Sequence, residues 1–226
     1  MKTGYYMVAL ALCMFWKVAA HAQSKIDSSY SNWYYDARYE LYNHLKHHKA
    51  DIVFLGNSIT ERGNWAELIP GKIVSNRGIG GDNSFGVLAR LEAVTALKPK
   101  KLFLMIGVND LGRGLPVEVI LNNYKRIIRH IQTESPRTKI YLQSVLPMNE
   151  NKLNYDYLKG KNVLVKQLND GIRLIASEYK LEFINLHEIM ADENGELREE
   201  LTSDGIHLNT VAYKIWVNYL KNKKYL

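Results

Sequence analysis

Short apolar runs alternate with helical patterns along most of this 226-residue chain, and this alternation restricts the fold more than any other feature. The apolar runs are rich in Val, Ile, Leu and Phe, which is typical of buried parallel strands. Regular alternation of strands and helices predicts an α/β fold, a doubly wound three-layer α/β/α sandwich with right-handed crossovers. The predicted strands span residues 51–56, 73–76, 101–106, 140–146 and 182–185, and the predicted helices span about 84–97, 116–133, 162–179 and 210–221, with one more helix before the first strand.

These patterns predict a single domain over residues 23–226, built on a five-stranded parallel sheet. A hydrophobic content of 46% with 23% charged residues is ordinary for a globular domain of this length. The common strand order for such a sheet is 2-1-3-4-5, and ligands then bind outside the carboxyl ends of the strands.

The N-terminus has the pattern of a secretory signal peptide. Lys2 supplies a positive charge, residues 5–16 are mostly apolar, and an Ala-His-Ala sequence ending at Ala22 precedes Gln23. The apolar run is too short for a stable membrane anchor. We therefore expect cleavage of residues 1–22 between Ala22 and Gln23, and a secreted or periplasmic mature protein.

Cysteine content and charge limit the chemistry that is available. Cys13 is the single cysteine and lies in the predicted signal peptide, so disulfides, a cysteine nucleophile and thiolate metal sites are not expected in the mature chain. The formal net charge of +7 becomes +5 when Lys2 and Lys17 leave with the signal peptide. This mild excess, without a basic-aromatic motif, does not indicate a nucleic-acid partner.

Four polar segments follow predicted strands or precede the last helix. They read GNSIT, NRGIGGD, GVND and SDGIH. The first three follow neighbouring strands, so we expect Ser58, Gly81 and Asn109 to lie side by side at the switch point of the sheet. The fourth segment carries Asp204 and His207 and can bring an imidazole to the serine hydroxyl.

This set of residues predicts ester hydrolysis through an acyl-enzyme. Ser58 is the candidate nucleophile, His207 the general base, and Asp204 the group that fixes the imidazole tautomer. The backbone amides of Ser58 and Gly81 and the side-chain amide of Asn109 are the candidate oxyanion donors. A serine hydrolase is the leading prediction.

The four segments resemble those of the SGNH hydrolases, the GDSL-like lipase and acylhydrolase superfamily, over about residues 51–220. NRGIGGD, a helix with Leu88 and Arg90-Leu91, and GVND resemble the branch related to platelet-activating-factor acetylhydrolase and to carbohydrate O-acetylesterases such as sialate O-acetylesterases. The resemblance implies a flavodoxin-like fold, no metal, no cofactor and short acyl groups as substrates. It also implies Ser58, Gly81, Asn109 and His207 as the signature residues.

One departure from the family pattern lies beside the candidate nucleophile, where Asn57 replaces the usual aspartate of GDS. The asparagine can keep the hydrogen bonds of the loop, since its carbonyl is also an acceptor. Alternatively, the lost charge alters local pKa values and substrate preference. Thr60 stands where an α/β-hydrolase elbow, G-x-S-x-G, has its second glycine, which disfavours that fold.

Substrate specificity is expected to depend on side chains near the candidate site and on the polar insert 147–161. An arginine there can hold a substrate carboxylate or only a loop backbone, and the sequence leaves both open. The candidate substrate-binding residues are Asn57, Arg62, Trp65, Arg77 and Arg113.

Other polar and aromatic residues have simpler interpretations. His44, His47 and His48 have helical metal-ligand spacing, but a solvated helix end is favoured. The aromatic cluster around Tyr35 and Tyr42 can offer stacking surfaces for sugars, although its helical spacing favours packing onto the sheet. Asp110 either orients the Asn109 loop or is a solvated turn residue.

The sequence therefore predicts a secreted serine esterase that removes short acyl groups, most plausibly acetyl from an O-acetylated sugar or glycan. A lysophospholipase or thioesterase is the alternative enzyme, and an acyltransferase with the same triad is a further option. A non-catalytic carbohydrate-binding protein on the same fold is the alternative from another class. The oligomeric state is not predicted.

Overall fold

The computed structural model of the protein describes residues 26–226. The predicted signal peptide, its cleavage site and Cys13 lie outside these residues, so they remain predictions. Across residues 26–226, no helix combines the length and the apolar character that crossing a membrane requires.

Five strands form the sheet: β1 (Ile52–Gly56), β2 (Val74–Gly78), β3 (Lys101–Met105), β4 (Lys139–Gln143) and β5 (Glu182–Ile184). All are parallel and lie in the order β2-β1-β3-β4-β5, which confirms the predicted fold class and strand order. All five residues of β1, at the centre of the switch point, are buried.

Helices cover both faces of the sheet and complete the three layers. The helices are α1 (Trp33–His44), α2 (Ser58–Glu61), α3 (Trp65–Leu68), α4 (Ser84–Ala89), α5 (Leu91–Thr95), α6 (Val108–Gly112), α7 (Val117–Glu134), α8 (Asn162–Glu178), α9 (Leu186–Met190) and α10 (Thr210–Asn222), with short 3₁₀ turns at Asp156–Leu158 and Glu199–Leu201. Helices α4, α5, α7 and α8 pack against one another on one face, while α3 and α10 meet on the other.

A row of stacked aromatic rings crosses the sheet beneath α3 and α10. Phe54, Phe103 and Tyr141 occupy paired positions on neighbouring strands, and their successive ring centroids are 4.9 and 4.6 Å apart. Trp65 stacks on Phe54 at 3.9 Å and meets the edge of Trp216 at 4.9 Å. Aromatic pairs of this kind add to the hydrophobic burial of the rings, and they anchor α3 and α10 to the centre of the sheet.

The predicted elements differ from the observed ones at two informative places. The helix predicted over 84–97 is interrupted at Arg90, whose φ of −115° and ψ of 12° lie outside the helical region. The fourth strand ends at Gln143 rather than at residue 146, because the side chain of Asn169 bonds both the N–H and the C=O of Val145. In both places long-range side-chain contacts override the local pattern.

Helix α1 packs its tyrosines onto the domain, as the helical spacing predicted. Tyr35 and Tyr42 are buried, and their hydroxyls donate to the carbonyls of Gly86 and Gly78. His44 lies at the exposed end of α1, 3.9 Å from Glu40. Within residues 26–226, no three His, Asp or Glu side chains gather closely enough to hold a metal ion.

Candidate active site

Ser58 is the first residue of α2 and directly follows the loop that leaves β1. Asn57 caps this helix, because its side-chain carbonyl accepts a hydrogen bond of 3.0 Å from the N–H of Ile59. The side chain of Asn57 thus makes a loop hydrogen bond of the kind predicted for an asparagine at this position. This cap fixes the start of α2 and with it the direction of the Ser58 side chain.

Ser58, His207 and Asp204 form a continuous hydrogen-bonded chain. The Oγ of Ser58 lies 2.9 Å from Nε2 of His207, and Nδ1 of His207 lies 2.6 Å from Oδ2 of Asp204. The other carboxylate oxygen of Asp204 accepts the backbone N–H groups of His207 at 2.8 Å and Ile206 at 3.2 Å. The carboxylate therefore holds both the loop and the imidazole, with Nε2 directed at the serine.

The loop that carries Asp204 and His207 rests on the 147–161 insert. Gly205 has a φ of +84°, and a Cβ there would lie 2.6 Å from the backbone of Leu153. The hydroxyl of Tyr155 donates to Asp204 at 3.3 Å, and its ring meets the His207 ring edge-on at 5.9 Å. The insert, predicted to influence specificity, thus supports this loop directly.

The electrostatic environment favours an ionised Asp204 beside a neutral His207. Partial burial acts to raise the pKa of Asp204, but hydrogen bonds from His207 and the backbone outweigh it and hold the pKa at about 2. Burial lowers the pKa of His207, and the positive charge of Arg62 acts in the same direction, against the attraction of Asp204. A neutral imidazole is the form that can accept the proton of Ser58.

Three candidate oxyanion donors lie on the loops after β1, β2 and β3. Among residues 26–226, the amides of Ser58 and Gly81 have no hydrogen-bond acceptor. Gly81 has a φ of +74°, and the space that a Cβ would occupy is open. One N–H of the Asn109 side chain donates to the carbonyl of Asp82 at 2.9 Å, which leaves its second N–H available.

A buried guanidinium connects these loops. Arg90 bonds Oδ2 of Asp82 through Nε at 2.9 Å and through Nη2 at 2.8 Å, and neither side chain is exposed. It also donates to the carbonyls of Arg77 at 2.9 Å and Gly56 at 3.0 Å. We call Arg90, Asp82 and these two carbonyls the Arg90 network. Because Asp82 also accepts from Asn109, the network reaches all three strand-end loops.

Asp110 is buried rather than solvated. Its carboxylate accepts the backbone N–H of Ser84 at 3.0 Å and also the Ser84 hydroxyl, to which Asn123 donates in turn at 2.8 Å. Burial raises the pKa of Asp110, and the bonds from Ser84 oppose that rise. Asp110 therefore ties the Asn109 loop to α4.

The final helix, α10, is capped by the side chain of Asn209 and not by that of Asp204.

Three of the five predicted substrate-binding residues are buried and do not line the cleft beside Ser58. Asn57 is 1% exposed and caps α2, while Trp65 is also 1% exposed because its indole packs on Phe54. Arg77 lies under the ring of Tyr42, with its guanidinium carbon 4.7 Å from the ring centroid. These side chains make their contacts within the fold around the site.

The other two predicted residues are more exposed, but only one faces Ser58. Arg113 donates to the carbonyl of Ser29 and so fastens the N-terminal segment, away from the Ser58 cleft. Arg62 lines the cleft beside Ser58, and its side chain is 52% exposed. Arg62 therefore remains a candidate for substrate contact.

An open cleft of about 510 Å³ lies beside Ser58, and some of the residues that line it were not predicted from the sequence. Helix α1 contributes Tyr34 and Arg38 to the cleft, and α2 contributes Glu61. Tyr34 donates to Glu61 at 2.8 Å, and Arg38 forms an ion pair with Glu61 at 2.9 Å. Of these three residues, only Glu61 could have been predicted from the sequence, because it follows Ser58 by three residues on the same helix.

The family model described as GDSL-like Lipase/Acylhydrolase matches residues 54–215, from β1 into α10. The match therefore includes Ser58, Gly81, Asn109, Asp204 and His207.

Similar proteins include platelet-activating factor acetylhydrolase IB subunits. The human alpha1 subunit is 25% identical over 175 residues, covering 74% of this chain and 72% of its own length, and the Gallus gallus alpha2 subunit is 29% identical over 177 residues, covering 74% and 73%. A solved Streptococcus pneumonia protein named for platelet activating factor is 33% identical with a TM-score of 0.79, covering 84% of this chain and 92% of its own. A GDSL-like lipase from Bacteroides thetaiotaomicron is 27% identical with a TM-score of 0.71, covering 84% and 99%.

Replacing Arg90 is expected to destabilise the fold strongly. Arg90→Met leaves the carboxylate of Asp82 buried without its partner, and breaking such a pair costs about 3–5 kcal/mol. Urea denaturation monitored by circular dichroism measures the change, and the matched control is Arg137→Met at an exposed position, which should alter the free energy of unfolding by less than about 0.5 kcal/mol. A loss below about 1 kcal/mol for Arg90→Met would show that Asp82 does not depend on Arg90.

Removing the charge of Asp204 is expected to reduce ester hydrolysis less than removing the Ser58 hydroxyl. Asp204→Asn loses the acceptor that fixes the His207 tautomer, and the comparable change in other triads lowers kcat on the order of 10,000-fold. The backbone N–H groups of Ile206 and His207 still find an amide oxygen in the variant. Steady-state kinetics on one ester substrate gives the ranking, and equal losses for Asp204→Asn and Ser58→Ala would contradict it.

Proposed function

The chain belongs to the GDSL-like lipase/acylhydrolase family, an ester-hydrolysing family, and within it we propose a serine esterase that removes short acyl groups, most plausibly acetyl, from a polar alcohol such as a sugar. The observation that carries the proposal is the chain from Ser58 through His207 to Asp204, with bonds of 2.9 and 2.6 Å. This arrangement provides a nucleophile, a base and an orienting carboxylate in hydrogen-bond contact.

The proposed reaction has two steps. Nε2 of His207 takes the proton of Ser58 as Oγ attacks the ester carbonyl carbon, and the same proton then goes to the departing alcohol. Water attacks the acyl-enzyme in the second step and gives its proton to His207, which releases the acid and restores Ser58. Asp204 stays ionised throughout and stabilises the imidazolium that forms in each step.

The negative charge on the carbonyl oxygen would be stabilised by the amides of Ser58 and Gly81 and by the second N–H of Asn109. All three donors are held before substrate arrives, so that they need no reorganisation during the reaction. Removing one such donor typically lowers kcat on the order of 100- to 1000-fold.

The chemistry of the cleft supports a short acyl group and a polar alcohol. Its walls include the ion pair between Arg38 and Glu61, the hydroxyl of Tyr34 and the guanidinium of Arg62. Burying a long alkyl chain against such groups would leave charges desolvated without new partners, which is unfavourable. The acetylhydrolase names of the similar proteins also support acetyl.

An acetylated phospholipid is the second candidate substrate. Platelet-activating factor acetylhydrolases are among the proteins that this chain resembles over 74% of its length, which favours a lipid alcohol over a sugar. The polar cleft favours the sugar. The site of action that we propose is the periplasm or the exterior, on the basis of the signal-peptide pattern in residues 1–22.

Hydrolysis of p-nitrophenyl acetate, butyrate and octanoate tests this function. We expect the mature protein to prefer acetate, because a longer chain would desolvate the charged groups of Arg38, Glu61 and Arg62 that line the cleft. Ser58→Ala should lower the rate on the order of 1,000,000-fold, as losing a triad nucleophile does. Ser177→Ala, an exposed serine on α8, is the matched control and should retain the full rate.

Two outcomes would contradict the proposal. A folded protein with no activity on any ester would favour the carbohydrate-binding alternative. A preference for octanoate over acetate would instead favour the lysophospholipase or thioesterase alternative.

A further inference from the structure

Arg62 directly follows α2, four residues after Ser58, and lines the same cleft. Its nearest carboxylate is Asp204, with 3.9 Å between Nη1 and Oδ2. That distance is too long for a hydrogen bond. Both oxygens of Asp204 already accept shorter bonds from His207, so they do not use the donors of Arg62.

The donors of Arg62 are uncommitted, in contrast to those of the neighbouring arginines. Arg38 pairs with Glu61 and donates to the hydroxyl of Tyr42 at 2.9 Å. Arg113 donates to Ser29. Within residues 26–226, the guanidinium of Arg62 makes no hydrogen bond, although it lines the cleft beside the candidate nucleophile, as the paired Arg38 also does.

The position of Arg62 also indicates which part of a substrate it would meet. His207 must deliver its proton to the departing alcohol, so the alcohol lies on the His207 side of Ser58. Arg62 lies next to Asp204, beside the loop that carries His207, whereas Gly81 and Asn109 lie in the loops after β2 and β3, the strands that flank β1. A group bound by Arg62 therefore belongs to the alcohol and not to the acyl chain.

We propose that Arg62 binds an anionic group, a carboxylate or a phosphate, on the alcohol part of the ester. The planar fork of donors in a guanidinium matches both groups and binds them through two parallel hydrogen bonds. This inference rests on the proposed esterase function and deepens it. It also accommodates both candidate alcohols, since an acidic sugar carries a carboxylate and a glycerophospholipid carries a phosphate.

Matched pairs of acetyl esters test the proposal. The sugar pair is an acetylated methyl glucoside and the corresponding glucuronoside. They differ only at C6, where the glucoside carries a hydroxymethyl group and the glucuronoside a carboxylate. The glycerol pair is 1-acetylglycerol and 1-acetylglycerol 3-phosphate. Kinetics are measured at about pH 8, where His207 is neutral, so that the loss of a positive charge near His207 does not alter the fraction of active base.

The wild-type protein should prefer the charged member of at least one pair. Arg62→Gln should lower kcat/KM for that ester about 10- to 100-fold, mainly through KM, and change the neutral ester less than about 3-fold. Arg62→Lys should recover part of the loss, since it restores the charge without the fork. Arg137→Gln, exposed at the opposite end of the sheet, is the control and should change neither ester. The pair whose charged ester is preferred shows whether the alcohol is a sugar or a glycerophosphate.

Equal losses on charged and neutral esters would overturn the proposal, because they would show that Arg62 acts only through Asp204 and His207. No preference for either charged ester would also overturn it. A separate binding measurement keeps this result distinct from failure of the esterase function. By calorimetry, Ser58→Ala should bind the responding charged ester at least about 10-fold more tightly than its neutral partner, and Ser58→Ala/Arg62→Gln should lose that difference.

Discussion

The buried ion pair between Arg90 and Asp82 is the interaction on which the geometry of the site depends. The guanidinium of Arg90 donates to the carbonyl of Gly56 at the end of β1 and to the carbonyl of Arg77 in β2. It also bonds the carboxylate of Asp82, the residue after Gly81. Buried ion pairs contribute little net stability when compared with apolar packing, but a broken one is costly. Together with the hydrogen bonds from the Asn76 side chain to the carbonyls of Glu61 and Gly63, the pair holds the Ser58 loop and the Gly81 loop in one relative position.

The second constraint comes from the other side of Ser58. The turn at Gly205 lets the backbone pass close to Leu153, and Asp204 then bonds both the loop amides and the His207 ring. The candidate base, His207, is thus positioned by the insert, and the candidate oxyanion donors are positioned by the Arg90 network. Because both arrangements exist before substrate binds, the energy of ordering them is supplied by folding rather than by the reaction.

The sequence predicted the sheet, its strand order and the groups at its carboxyl edge, because strand periodicity and strand-end motifs are local signals. It did not predict the interruption at Arg90, where the side chain bonds distant carbonyls, or the contribution of Tyr34 and Arg38, which α1 brings from outside the strand pattern. Trp65 was expected in the cleft because it follows the nucleophile closely. Its ring instead completes the aromatic row over Phe54, a contact that depends on tertiary packing.

The central claim is that His207 activates Ser58 as a nucleophile. The most direct measurement is the rate at which a fluorophosphonate ester modifies the protein, followed by intact mass and peptide mapping. We predict one adduct on Ser58, formed on the order of 1000-fold more slowly in His207→Ala, because the general base is lost. An adduct on a different residue, or a rate that does not change in His207→Ala, would contradict the claim.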